Sequence, residues 1–145
     1  MIKASIPNTI TLGNMACGLL AVLSIMRGDF TLAGILIALA LVFDFLDGLV
    51  ARALKVHSEL GKQLDSLADV VSFGVAPGFF MYKLFLLAGN TGEPVPEFLA
   101  YLAFLIPLFS ALRLAKFNID TRQTSFFIGM PTPANTLLIF SLGLW

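Results

Sequence analysis

The chain has 145 residues, of which 58% are hydrophobic and only 12% charged, with equal numbers of acidic and basic side chains and no net charge. Its mean hydropathy is +0.92, whereas a soluble domain is roughly 45–50% apolar and about 25% charged; this excludes an ordinary water-soluble fold and points to one integral membrane domain over residues 1–145. The charge balance says nothing about a polyanionic partner, the composition argues against nucleic-acid binding, and the lone cysteine, Cys17, excludes an internal disulfide and reads as a small packing residue.

In chain order, Ile2–Asn8 holds Lys3 and Pro7 and reads as a short interfacial segment without the pattern of a cleavable signal. Ile10–Met26 is the first expected span, with Gly13 and Gly18 as points of close helix approach. Arg27-Gly28-Asp29 is a turn. A second span runs from Leu32 to about Leu54, and Val56–Lys62 is a polar connection. A third runs from Leu64 to about Leu87, where Pro77 and Gly78 are expected to kink it, as membrane helices tolerate. Gly89–Glu97 is a turn, Phe98–Ala115 is the fourth span with Pro107 inside it, and Lys116–Ser125 is polar. Ala134–Trp145 opens a fifth apolar run of 12 residues, short of the ~20 that a span needs. The expected fold is therefore all-α, a polytopic transmembrane helical bundle with about five helices present.

Lysine and arginine fix an expected orientation. Lys3, Arg52, Lys55, Lys62, Arg113, Lys116 and Arg122 fall on one side, Arg27 and Lys83 on the other, and the 89–97 turn has only Glu93 and Glu97. The positive-inside rule then places the N-terminus in the cytoplasm.

Four acids, Asp44, Asp47, Asp65 and Asp69, stand in this apolar frame. An ionisable group at membrane depth costs roughly 2.5–3.5 kcal/mol on insertion scales and marks a functional site by default. Asp44 and Asp47 are three apart and Asp65 and Asp69 four apart, so each pair shares a helix face. A helical hairpin through the polar connection would bring the two faces together, and a cation between them would relieve their mutual repulsion. An all-oxygen ligand set suits Mg²⁺, Mn²⁺ or Ca²⁺ rather than zinc. The plainer alternative is a set of helix-end acids solvated at the interface, with Asp65 and Asp69 favouring the first turn of the third helix. Asp44, well inside an apolar run, fits that alternative least. His57 reads as a solvated loop residue with no role.

The same stretch, Asp44-x-x-Asp47-Gly48-x-x-Ala51-Arg52, then eight residues, then Gly61-x-x-x-Asp65-x-x-x-Asp69, resembles the signature of the CDP-alcohol phosphotransferase family at every fixed position. IPNTITLGNMACG at 6–18, ALRLAKFN at 111–118 and GMPTPA at 129–134 resemble its phosphatidylserine synthase branch, with Lys116 where that branch usually shows arginine. The resemblance runs from Ile6 to Ala134.

It implies transfer of a phosphatidyl group from CDP-diacylglycerol to an alcohol, L-serine by branch, with release of CMP. It implies a divalent metal, Mg²⁺ or Mn²⁺ with Ca²⁺ as the alternative, on Asp44, Asp47, Asp65 and Asp69, with Asp69 as general base for the acceptor hydroxyl. Asn8 and Thr11 would help hold the nucleotide, or merely cap the first helix. Gly48, Ala51 and Gly61 would leave room for the nucleotide, or simply pack. Arg52 would contact phosphate, or mark the membrane boundary by snorkelling. Arg113 and Asn118 are candidates for phosphate or the acceptor's carboxylate, with Ser125 and Thr132 weaker ones. The active site would face the cytoplasm at the inner leaflet. Six helices are expected of the family, so a C-terminal truncation is expected here, and a homodimer is expected from the family's habit and the small residues on helices one and three. Glycerol 3-phosphate or an inositol phosphate is the alternative acceptor. A cation transporter is the remote alternative, and it would spread its acids through the membrane depth.

Overall fold

The computed structural model describes residues 2–55, 58–89, 96–119 and 132–144. His57, Arg122, Ser125 and the 129–131 part of GMPTPA lie outside the described residues. Within them the chain forms five helices and no strand: α1 (Ile2–Arg27), α2 (Phe30–Ala53), α3 (Glu59–Gly89), α4 (Glu97–Ile119) and α5 (Thr132–Gly143). The first four are long and apolar enough to cross a membrane. Large apolar side chains face outward along them, Phe45 at 63% and Phe109 at 64% exposure among them, where lipid replaces water.

α1 starts at Ile2, so Ile2–Asn8 is continuous with the first expected span and forms its opening turns, with Pro7 carried inside the helix. Its end is set by Gly28 at φ +83°. Gly28 N–H donates to Ile25 O at 3.0 Å and Asp29 N–H to Ser24 O at 2.9 Å, the paired closing bonds that a left-handed glycine permits. The next residue, Asp29, caps α2 by accepting from Leu32 N–H at 2.9 Å. A two-residue turn, Gly28-Asp29, thus reverses the chain into an α1–α2 antiparallel hairpin.

α3 begins at Glu59, five residues before the expected Leu64, because Ser58 caps it by accepting from Gly61 N–H at 3.2 Å. The expected kink at Pro77 takes a specific form: a π-helical turn over Val71–Val75. Pro77 has no N–H to donate to Phe73 O. That carbonyl accepts from the Thr136 hydroxyl of α5 at 2.9 Å instead, so the missing donor becomes a docking point for the last helix.

Small residues let the helices approach. A Cβ at Gly18 would lie 2.8 Å from Ser72 Cα, and one at Gly78 2.8 Å from Pro107 Cδ. Gly74 and Gly78 thus form a small-residue face on α3 that receives Pro107 and Ser110 of α4. Beyond the site, away from the α2–α3 turn, Ala21 and Ile25 of α1, Ala33 and Ile37 of α2, Ala76 and Phe80 of α3 and Phe140 of α5 form one buried cluster. Phe80 stacks on Phe140 at 4.2 Å between ring centroids. α4 continues to Ile119, so Lys116–Ile119 is helix rather than the expected polar connection.

Candidate metal and nucleotide site

The hairpin from α2 to α3 places the two acidic faces against each other. One carboxylate oxygen from each of Asp44, Asp47 and Asp65 lies within 4.8 Å of the others. Asp47 is 5% exposed and accepts from the Thr11 hydroxyl, which also lies 3.0 Å from Pro7 O. Asp69, one helical turn beyond Asp65 on α3, stands outside this tight set and meets the Asp44 side chain. Its Oδ1 is buried with no hydrogen-bond partner. At an effective dielectric of about 20, unit charges about 4.8 Å apart repel by roughly 3.5 kcal/mol. Three hard oxygen donors within 4.8 Å of one another, with a fourth carboxylate beside them holding an unpartnered buried oxygen, fit a divalent ion of the Mg²⁺, Mn²⁺ or Ca²⁺ kind.

Two cavities meet at this cluster. The smaller, about 400 Å³, is lined by Pro7, Asn8, Thr11, Asp47, Gly48, Ala51, Ser58, Glu59, Gly61, Lys62 and Asp65. All the expected nucleotide-side residues except Arg52 therefore line one space. The glycine at 61 has a local reason: a Cβ there would lie 3.1 Å from Asn8 Oδ1. Arg52 is exposed and bends back, its Nε donating to Gly48 O at 3.0 Å, which leaves it beside this cavity rather than in its wall.

The larger cavity, about 700 Å³, lies between α3 and α4 under the start of α5, with Asp44, Asp65 and Asp69 in its wall beside Arg113, Asn118 and Thr132. Phe109, Leu112, Leu114 and Phe117 of α4 add apolar surface to its lining. Lys62 and Asp65 line both spaces. Asn118 does more than line the wall: its Nδ2 donates to Ser66 Oγ at 2.8 Å, and Lys62 Nζ donates to its carbonyl at 3.2 Å. These bonds tie the end of α4 to the start of α3.

Lys62 and Ser66 are residues the sequence reading did not place in the site. Their signal was available, because both are within one turn of Asp65 or Asp69 on the same helix. Asn14 was also passed over; it is a fully buried amide on α1, three residues after Thr11.

Comparison with known proteins now adds to this geometry. Residues 4–145 match the family model for CDP-alcohol phosphatidyltransferase. The chain is similar to a CDP-diacylglycerol–serine O-phosphatidyltransferase of Bacillus subtilis, 40% identical over 128 residues that cover 88% of this chain and 69% of that protein. It is also similar to one of Methanocaldococcus jannaschii, 40% identical over 93% of this chain and 58% of that protein. An archaetidylserine synthase of Methanothermobacter thermautotrophicus is 36% identical over 94% of this chain and 57% of that protein. The chain spans between 46% and 69% of the length of eight such curated relatives.

Proposed function

This chain belongs to the CDP-alcohol phosphatidyltransferase family, and from that premise we propose that it transfers the phosphatidyl group of CDP-diacylglycerol to the hydroxyl of L-serine, releasing CMP. The observation that carries this reading is the junction itself: a smaller and a larger cavity meet at the aspartate cluster, with Asp47 lining the one, Asp44 and Asp69 the other, and Lys62 and Asp65 both. The names of the relatives support serine as acceptor. A diradylglycerol of either linkage would fit the apolar wall, since ester and ether lipids differ at the glycerol and not along the chains.

In this account the smaller cavity takes the cytidine and its phosphates. Asn8 offers an amide, and Gly48, Ala51 and Gly61 leave backbone within reach of the nucleotide. Arg52 stands beside the cavity as a cationic partner for phosphate. The larger cavity takes the lipid along Phe109, Leu112, Leu114 and Phe117, and the serine near Arg113, whose guanidinium suits a carboxylate.

Asp44, Asp47 and Asp65 would hold the divalent ion, with Asp69 beside them. When bound, such an ion supplies positive charge that neutralises the diphosphate and stabilises the departing CMP. The serine oxygen forms the new bond to the lipid-bearing phosphorus, the bond from that phosphorus to CMP breaks, and Asp69 accepts the hydroxyl proton.

The aspartate end of the bundle also carries Arg52, Lys55, Lys62, Arg113 and Lys116, against Arg27 and Lys83 towards the other. The positive-inside rule thus favours a cytoplasmic site, where soluble serine arrives from the water and the CDP-lipid from the inner leaflet.

The test is release of CMP from CDP-diacylglycerol by the purified chain in nanodiscs with Mn²⁺ or Mg²⁺, run with L-serine, glycerol 3-phosphate, an inositol phosphate or no acceptor. CMP release that depends on serine supports the reading. Release with a phosphorylated acceptor and none with serine moves the chain to another acceptor class, and no release with any acceptor refutes the transferase reading.

A further inference from the structure

Asn14 is wholly buried, and neither its Nδ2 nor its Oδ1 makes a hydrogen bond. Buried amides are nearly always paired, so this one demands a reason. Its place in the fold is fixed from two sides. On one side Gly18 packs on Ser72, and the Ser72 hydroxyl donates to Asn14 O at 3.0 Å. α1 and α3 both leave from the aspartate end and run parallel. One turn back from the Gly18–Ser72 contact therefore stand Asn14 on α1 and Ala68–Asp69 on α3.

On the other side α1 and α2 are antiparallel, and Thr11 bonds Asp47. One turn further along α1 is Asn14, and one turn earlier along α2 is Asp44. Helical side chains lean towards their helix N-terminus, which for Asn14 is towards Thr11 and the cluster. A buried donor thus stands at the level of a buried acceptor, Asp69 Oδ1, and both lack partners.

We propose that Asn14 is a positioning residue for the transfer reaction, its Nδ2 donating to Oδ1 of Asp69 so that the other carboxylate oxygen is presented to the acceptor hydroxyl in the larger cavity. This rests on the reading of Asp69 as the proton acceptor. Forming the bond requires rotamer adjustment of both side chains, which helical register places at one level of the bundle. The competing role is structural: an amide that only fills space between α1, α2 and α3.

The test uses Asn14→Leu and the smaller Asn14→Ala in nanodiscs, in single turnover with enzyme in excess and at saturating Mn²⁺. Beside it, the thermal midpoint is taken in chelator and the Kd for Mn²⁺ alone is measured. We expect the rate constant to fall roughly 10–100-fold, the loss that follows a misplaced reacting group. The KM values for serine and CDP-diacylglycerol in steady state should stay within about twofold, and the chelator midpoint of Asn14→Leu should drop too little to account for the loss of rate, since leucine fills the space of the amide. Added to Asp69→Asn, Asn14→Leu should cost no further rate, because both act through one carboxylate.

A rate unchanged in both variants overturns the proposal. So does a rate that falls only as far as the midpoint and the Mn²⁺ affinity fall, or an undiminished further loss in the Asp69→Asn background. If Asp69→Asn itself keeps full turnover, the proton-acceptor reading is what fails, and the proposal falls with it.

Discussion

Replacing Asp47 by asparagine separates charge from shape at the centre of the site. The Thr11 hydroxyl that donates to Asp47 Oδ2 can donate equally to an asparagine Oδ1, so the contact between α1 and α2 survives. What is lost is one negative charge among three carboxylates whose oxygens lie within 4.8 Å. With about 3.5 kcal/mol of repulsion per pair at a dielectric of about 20, removing Asp47 relieves on the order of 7 kcal/mol against its two neighbours when all three are ionised. Even a small fraction of that relief raises the thermal midpoint in chelator. The effect on metal binding has the opposite sign. Losing a ligating carboxylate should weaken Mn²⁺ by more than about 100-fold, beyond the 10–100-fold typical of outer partners. Turnover should fall below detection at millimolar metal. The assay is a pair of melts in nanodiscs, with chelator and with Mn²⁺, beside CMP release. A variant less stable than the parent in chelator, still stabilised by Mn²⁺ and still turning over, would refute the argument that these carboxylates are held together for a cation.

Asp69→Asn and Asp44→Asn should differ. Asp69→Asn should bind CDP-diacylglycerol at fixed Mn²⁺ almost as the parent does while its rate falls roughly 10²–10⁴-fold, whereas Asp44→Asn should lose both; equal loss of binding in calorimetry would merge all four acids into one coordination shell. Gly61→Val should raise the KM for the CDP-lipid about tenfold or more with little change in the Kd for Mn²⁺, because even the first added carbon lies 3.1 Å from Asn8 Oδ1 in the smaller cavity; an unchanged KM would move the nucleotide elsewhere. Gly18→Val should lower the melting midpoint by the equivalent of about 1–3 kcal/mol, since its Cβ would meet backbone at Ser72 Cα; an unaltered midpoint would show that the α1–α3 contact is loose.

Much of this was legible in the sequence where one physical signal dominated. The four spans follow from apolar length, and the site follows from acids that an apolar helix tolerates only for a reason. Boundaries were less legible because caps outweigh composition. Glu59–Lys62 looked like a polar connection, yet Ser58 and its bond to Gly61 N–H make it the first turn of α3. Pro77 announced a distortion but not its form, which depends on the Thr136 hydroxyl of a helix far along the chain. Asn118, expected near the acceptor, lines the larger cavity and also joins two helices through its bonds to Ser66 and Lys62, which nothing in the local sequence announces. Asn14 was silent in the sequence because nothing local says that its amide would be buried level with Asp44 and Asp69; only the packing of Gly18 on Ser72 sets that level.

The most direct test of the account is a single mass balance. The purified chain, in nanodiscs containing CDP-diacylglycerol, is given radiolabelled L-serine with Mn²⁺, and the same reaction is run in chelator. CMP in the water and label in the lipid are counted together. The account predicts equimolar CMP and labelled lipid with Mn²⁺, and neither in chelator. Label entering lipid at the same rate in chelator, or CMP released without any label in lipid, would contradict it.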